Sequence, residues 1–279
     1  MAGSFLIFLR EGIEGTLICA ILLTYLAAGD RRDMFRWVLG GAGVALVGSG
    51  IAGVALYAAI HSDFVGSRAQ LWFETATFAV AVVVLTYMTF WMKRNARRLS
   101  SDLRNRVDGA VGGGSGMALA LVAGATVGRE AVETAIFTVA ITLQSSPRDL
   151  LIGAAGGLAV ALTVSVAIYR MGLKLNIARF FTVVGGALMV VAAGLLANVV
   201  QNLQQLGVIA RMPGAGIQVW NTSHVIPQDS TLGDILHGLV GYAETPSLLQ
   251  ALAYAVFLVV GLVFFLRRPA AGGGRRTAA

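Results

Sequence analysis

The chain has 279 residues, of which 57% are hydrophobic and only 13% charged, with a formal net charge of +7. A soluble domain carries about twice that charged fraction, so a water-soluble globular enzyme is excluded. The positive charge does not point to nucleic acid, because the Lys and Arg residues sit in short runs between long apolar blocks, the way a membrane protein sets its orientation.

The apolar blocks predict seven membrane-spanning helices at residues 3–28, 35–60, 70–92, 115–143, 149–169, 178–204 and 248–267. Each is long enough to cross a hydrocarbon layer of ~30 Å at about 1.5 Å per residue. The first block has no basic residue before it, and charged residues interrupt it at positions 10 to 14. It therefore reads as a retained helix and not a signal peptide. The 35 glycines lie mostly inside the blocks, where they allow close helix approach. In the third block Trp72 and Trp91 sit near the two ends, as interfacial aromatics do. The single cysteine, Cys19, lies within the first block and has no intrachain partner.

The loops alternate in charge. Arg31, Arg32 and Arg36 follow the first block; Lys93, Arg94, Arg97, Arg98, Arg104 and Arg106 follow the third. Arg170, Lys174 and Arg179 follow the fifth, and Arg267, Arg268, Arg275 and Arg276 follow the seventh. The opposite loops hold only Arg68, Arg148 and Arg211. Cytoplasmic loops carry the Lys/Arg excess, which puts the N-terminus outside, the C-terminus inside, and requires an odd number of spans. The expected organisation is one transmembrane domain over residues 1–268, with an outer loop at 205–247 and a disordered cytoplasmic tail at 269–279. Within the outer loop, Leu232 to Tyr242 is a short amphipathic run with Leu232, Ile235, Leu236 and Leu239 on one face. Asp229, Ser230 and Thr231 stand where a cap is needed. The run is read either as an interfacial helix or as a packed loop.

Two blocks carry the same charged pattern. The first contains Arg10-Glu11-Gly12-Ile13-Glu14 and the fourth contains Arg129-Glu130-Ala131-Val132-Glu133, both Arg-Glu-x-x-Glu. Each such group near the bilayer centre costs roughly 2.5–3.5 kcal/mol on insertion scales, unless the groups meet around water or an ion. Spacing places Glu11 and Glu14 on one helix face, and likewise Glu130 and Glu133. Arg10 can reach Glu14, and Arg129 can reach Glu133, at i, i+4. Both motifs lie roughly 12–20 Å from the outer ends of their helices, near the middle of the bilayer.

Three spans separate the motifs, so their helices run in opposite directions. Halves at about 3–92 and 115–204 then form an inverted 3+3 repeat, with the last helix added and the charged site at the repeat interface. The fold class is an all-α polytopic membrane protein.

Four carboxylates and two guanidiniums sum to −2. A divalent cation neutralises that set, and Glu74 of the third block, if it faces inward, would balance a trivalent one. Glu74 is open between ligand and interfacial acid. The donors are hard oxygens, suited to Fe(III), Mn, Mg or Ca and acceptable to Fe(II). Cys19 lies 140° around the helix from Glu14, which disfavours thiolate ligation and soft metals. His61, His224 and His237 lie at or beyond the outer surface with no ligand partner at useful spacing. Asn198, Gln201, Asn202, Gln204 and Gln205 end the sixth block, as a vestibule lining or as a plain helix end. No nucleotide-binding loop or hydrolase motif is present in the sequence, so the chain is read as a transporter and not an enzyme.

The paired motifs resemble those of the oxidase-dependent high-affinity iron permeases, both the fungal permeases and the bacterial EfeU type. Trp72-Phe73-Glu74 and Gly233-Asp234-Ile235-Leu236-His237 also resemble the bacterial members. The resemblance implies iron uptake across the cytoplasmic (inner) membrane, with Glu11, Glu14, Glu130 and Glu133 as iron ligands supported by Arg10 and Arg129. It implies iron as substrate, no bound cofactor, and as partners a periplasmic iron-binding protein and a haem peroxidase or other ferroxidase. The alternative reading is a carrier of another divalent cation, or a proton-coupled exchanger, using the same carboxylates.

Overall fold

The computed structural model describes residues 2–61, 68–95, 109, 116–143, 147–171, 177–228 and 230–267. Arg97, Arg98, Arg104, Arg106, Lys174, Asp229, Arg268, Arg275, Arg276 and the tail 269–279 lie outside the described residues. The described residues form α1 (Ala2–Ala28), a short 3₁₀ turn (Arg32–Met34), α2 (Phe35–His61), α3 (Arg68–Asn95), α4 (Gly116–Thr142), α5 (Pro147–Met171), α6 (Ile177–Gln205), α7 (Thr231–Val240) and α8 (Leu248–Leu266). No β-sheet occurs among them, only an isolated bridge between Gln218 and Ser247.

The helix bounds follow the apolar blocks to within a few residues. Five stretches are long and apolar enough to cross a membrane: Arg32–Ile51, Arg68–Asn95, Arg148–Ala167, Thr182–Gln205 and Leu248–Leu266. The chain is thus a multi-pass helical membrane protein. The two long helices outside that set, α1 and α4, are the ones that carry the charged motifs, three ionisable residues each.

Burial is inverted relative to a soluble bundle. α3 exposes Val80, Val83 and Tyr87, and α8 exposes Leu252, Val256, Val259 and Phe264. Such faces are stable against lipid and not against water. The polar groups turn inward instead: Arg10, Glu11, Glu14, Glu130 and Glu133 are all buried.

Helix pairing is selective. α1 packs chiefly on α5, α2 on α4, and α3 on α6, while α1 also meets α4 and α8 lies on α6. One apolar core joins α1, α3, α4 and α6 around Ile7, Phe78, Leu85, Phe137 and Leu188. Another joins α1, α2 and α4 around Leu22, Val38 and Leu119. Near the end of α8, Phe265 is fully buried, edge-on to Phe90 at 5.7 Å and beneath the Lys93 ammonium at 4.5 Å.

Two of these pairings depend on glycine. A Cβ on Gly41 of α2 would stand 2.2 Å from the Ala120 carbonyl oxygen of α4. A Cβ on Gly157 of α5 would stand 2.5 Å from the Phe5 carbonyl oxygen of α1. In both cases backbone meets backbone, and no side-chain rotation relieves the clash.

The outer loop is a packed layer. α7 forms where the amphipathic run predicts it, and it packs on α6 and α1. Its N-cap is Ser230, whose hydroxyl accepts from the Gly233 amide at 3.0 Å. Gly241 ends it in the left-handed region at φ 68°. His237 is tied into this turn, with Nδ1 2.7 Å from the Tyr242 carbonyl oxygen, and the Tyr242 hydroxyl donates to the Ile226 carbonyl at 2.9 Å. The amides that end α6 anchor the loop: Gln204 Nε2 donates to Ser247 Oγ at 2.9 Å, and Gln250 Nε2 donates to Gln201 Oε1 at 3.4 Å. Ser247 in turn caps α8 by accepting from the Gln250 amide.

Gly40 and Gly41 are neighbours with opposite surroundings, since a Cβ on Gly40 meets nothing within 4 Å. Gly41→Ala is expected to destabilise the protein by about 1–3 kcal/mol, the usual cost of overpacking. Gly40→Ala is expected to be neutral or slightly stabilising. Thermal melting of the two purified variants in detergent checks the contrast.

Candidate metal centre

The two Arg-Glu-x-x-Glu motifs meet where α1 crosses α4. Oxygens of Glu11, Glu14 and Glu130 all lie within 4.8 Å of one another, and all three side chains are buried. Carboxylate oxygens of Glu14 and Glu130 lie within 4.8 Å of each other across the helix interface, a separation at which like charges call for a partner.

Arg10 organises the α1 side. Its side chain is 2% exposed and forks, with Nη1 2.9 Å from Glu11 Oε1 and Nε 2.9 Å from Glu14 Oε1. The i, i+4 pair follows from helical spacing; the i, i+1 contact with Glu11 requires the guanidinium to fold back along its own helix. One positive charge thus serves two acids, and the second oxygen of Glu11 has no hydrogen-bond partner. The second oxygens of Glu130 and Glu133 are likewise buried and unpartnered. An unsatisfied buried acceptor costs about 1–3 kcal/mol, and more when charged. Glu14 Oε1, 2.9 Å from Arg10 Nε, also lacks a hydrogen-bond partner, so Glu11, Glu14 and Glu130 each leave a buried oxygen that a cation would complete.

The second motif is not a copy of the first. Arg129 Nε donates to Glu133 Oε1 at 3.0 Å, the expected i, i+4 pair, but the Arg129 side chain is 44% exposed. Its guanidinium lies over the Trp91 ring at 4.8 Å, and its Nη2 is 3.1 Å from Met88 Sδ. Met88 and Trp91 are one turn apart on α3. Arg129 therefore turns toward α3 and takes one oxygen of Glu133 with it, while Glu130 joins Glu11 and Glu14.

Two cavities flank the cluster. One of about 1300 Å³ has Glu11 and Glu130 in its wall, together with Thr16, Cys19, Thr134 and Ser165. The other, of about 560 Å³ between α2 and α4, has Arg129 and Glu133 in its wall. Three of the four motif acids, Glu11, Glu130 and Glu133, thus line these two openings, and Glu14 lines neither. All the donors are carboxylate oxygens, a set suited to hard cations.

Of the predicted site residues, Glu11, Glu14 and Glu130 converge, and Glu133 stands beside them in its Arg129 pair. Glu74 is not in the converging group; it is half-buried on α3, where its Oε1 accepts from Gln70 Nε2 at 2.8 Å. Cys19 shares the larger cavity without joining the oxygens. Sequence reasoning did not single out Thr16 and Ser165, whose hydroxyl oxygens sit 2.5 Å apart between α1 and α5. It also did not single out the contacts of Met88 and Trp91 with Arg129. Their one-turn spacing on α3 was visible, but nothing in the sequence says which helix that face meets.

Arg10→Ala would leave Glu11 and Glu14 buried with no guanidinium, at a cost of about 3–5 kcal/mol. Arg129→Ala is expected to cost clearly less, because that side chain is nearly half exposed and holds one acid. Melting temperatures of the two variants test the order. Arg10→Lys is expected to recover only part of the loss, since an ammonium cannot reproduce the fork.

The sequence profile of the Iron permease FTR1 family matches residues 1–271. Ferrous iron permease EfeU of Yersinia pestis is 32% identical over 280 residues, covering 99% of this chain and 96% of that protein. The protein of that name from Yersinia pseudotuberculosis serotype I (strain IP32953) is also 32% identical over 280 residues, covering 99% and 95%. That of Escherichia coli O6:K15:H31 (strain 536 / UPEC) is 31% identical over 271 residues, covering 96% of each chain. No solved structure gives a significant match. A match over nearly the whole chain, together with relatives above 30% identity along 96% of their length, places this protein in the Iron permease FTR1 family.

Proposed function

We propose that this chain carries iron across the cytoplasmic membrane as Fe(II), through a site built from Glu11, Glu14 and Glu130 with Glu133 at its margin. The observation that carries the reading is the convergence of three buried carboxylates within 4.8 Å around a single forked guanidinium. Three carboxylates and Arg10 sum to −2, and the Arg129–Glu133 pair adds nothing. A divalent ion balances the set without the help of Glu74, which supports Fe(II) over Fe(III). The relatives are named ferrous iron permeases, in keeping with that charge.

Seven spans, with the N-terminus outside and the C-terminus inside, fit the sixteen-to-three division of basic residues between the two sides. The inverted repeat is supported by the pairing of helices. Exchanging α1, α2 and α3 with α4, α5 and α6 turns the α1–α5 contact into the α4–α2 contact, and returns α1–α4 and α3–α6 to themselves. Gly157 facing α1 and Gly41 facing α4 obey the same exchange. The carboxylate site then lies on the repeat axis near the midplane, where alternating access works around a fixed site. A periplasmic iron-binding protein and a haem peroxidase or other ferroxidase are the partners that the family resemblance implies at the outer face.

The test is uptake into proteoliposomes with Fe(II) held reduced, Fe(III) supplied as a chelate, and Mn(II) as competitor. Fe(II) uptake is expected in the wild type. It should fall to the level of empty vesicles in Glu14→Gln and Glu130→Gln, with a smaller loss in Glu133→Gln. Undiminished uptake by the Glu14→Gln/Glu130→Gln double variant would refute the site. Equal displacement by Mn(II) would favour a general divalent-cation carrier instead.

A further inference from the structure

The larger cavity has a directional chemistry that the carboxylate site does not account for. Along α4, Thr134, Thr138 and Thr142 follow Glu130 at successive intervals of four residues, and all four line this cavity. From Glu130 the row extends to the last residue of the helix, about 18 Å along its axis. Each threonine hydroxyl donates to the carbonyl oxygen one turn back: Thr134 to Glu130 at 2.8 Å, Thr138 to Thr134 at 2.7 Å, and Thr142 to Thr138 at 2.7 Å. The single hydroxyl hydrogen of each is therefore committed. What remains for the cavity is the oxygen lone pairs alone.

Back-bonding of this kind is common for threonine in apolar helices, and Thr163 does the same on an exposed face of α5. The α4 row differs because three such hydroxyls share one cavity wall with a buried acid. The second oxygen of that acid, Glu130, has no partner. The equivalent offsets from Glu11 on α1 are Gly15, Cys19 and Leu23, which line the same cavity with no side-chain oxygen. On that side the nearest hydroxyls, those of Thr16 and Ser165, are engaged with each other. A row of acceptors without donors favours a cation over an anion; Thr126, one turn before Glu130, back-bonds in the same way but does not line this cavity, whose wall otherwise adds only the Ser49 hydroxyl of α2.

We propose that Thr134, Thr138 and Thr142 form the route by which a divalent cation, shedding water, reaches the carboxylate centre from the outer surface. This rests on the carboxylate cluster being the iron site. The hydroxyl oxygens act as successive stand-ins for hydration water, in steps of about 6 Å, and hand the ion to the free oxygen of Glu130. They set the rate at which the site fills and not its affinity.

The experiment compares Thr134→Val/Thr138→Val/Thr142→Val, which keeps the shape and removes the oxygens, with the corresponding triple Thr→Ser variant. Each full-length protein is reconstituted and supplied with Fe(II) held reduced. The initial uptake rate is measured below saturation, and iron retained by the detergent-purified protein is measured at equilibrium. The valine variant is expected to take up Fe(II) at least about tenfold more slowly, the effect of losing one charge-assisted contact, while retaining as much iron at equilibrium as the wild type. The serine variant is expected to stay within about twofold of the wild type, since its hydroxyl offers the same lone pairs. Wild-type uptake by the valine variant would overturn the proposal. So would an equal loss in the valine and serine variants, or loss of equilibrium iron along with the rate. Should the triple variant fail to accumulate, Thr138→Val against Thr138→Ser makes the same comparison. Glu14→Gln is run alongside: full uptake by that variant would remove the carboxylate reading itself, whatever the threonine variants do.

Discussion

The structure depends on one electrostatic constraint: a single buried guanidinium, Arg10, shared between Glu11 and Glu14 and set against Glu130 of a second helix. Ionised groups in a low-dielectric interior are tolerated only when they are paired and hydrogen-bonded. Arg10 meets that requirement in part. It places one positive charge among three acids and leaves carboxylate oxygens with no protein partner. A fully paired cluster would be a structural bolt. An under-neutralised one, opening on cavities, retains a standing attraction for a cation.

The rest of the fold serves this placement. α1 and α4 carry their charges in mid-helix, and they are held by the close approaches at Gly157 and Gly41 to α5 and α2. The exposed apolar face of α8 suits lipid, while that of α5 walls the larger cavity. The two motifs, identical in pattern, have diverged in use. Arg10 is sealed in and serves the centre, whereas Arg129 turns outward to Trp91 and Met88 and takes one oxygen of Glu133. Exact symmetry would have left four acids facing two inward guanidiniums. The departure from it keeps the same net charge of −2 but gathers it on three acids around one guanidinium.

Much of this was legible in the sequence. Lengths of apolar run fixed the helices, and i, i+4 spacing anticipated both Arg–Glu pairs. What was not legible depends on tertiary contact. Periodicity says that Glu130 and Glu133 share a face, but it does not say that α3 would offer an aromatic ring to Arg129 and so draw Glu133 aside. The charge of Glu74 suggested a fifth ligand, yet its neighbour one turn back, Gln70, satisfies it locally. The amides ending α6 read as a vestibule lining or, by preference, as a plain helix end, and Gln201 and Gln204 anchor the outer loop and α8. The threonine row was present at perfect spacing, but threonine in an apolar helix is unremarkable until a cavity is seen beside it.

The central claim is that the ion is held by oxygen atoms contributed by both motifs. Anomalous diffraction at the iron edge from crystals of the full chain, grown with Fe(II) under reducing conditions, tests it most directly. The account requires one iron peak within bonding distance of carboxylate oxygens of Glu11, Glu14 and Glu130, on the cavity side of Arg10. An iron peak elsewhere in the bundle with this cluster vacant, or iron bound through Cys19, would contradict it.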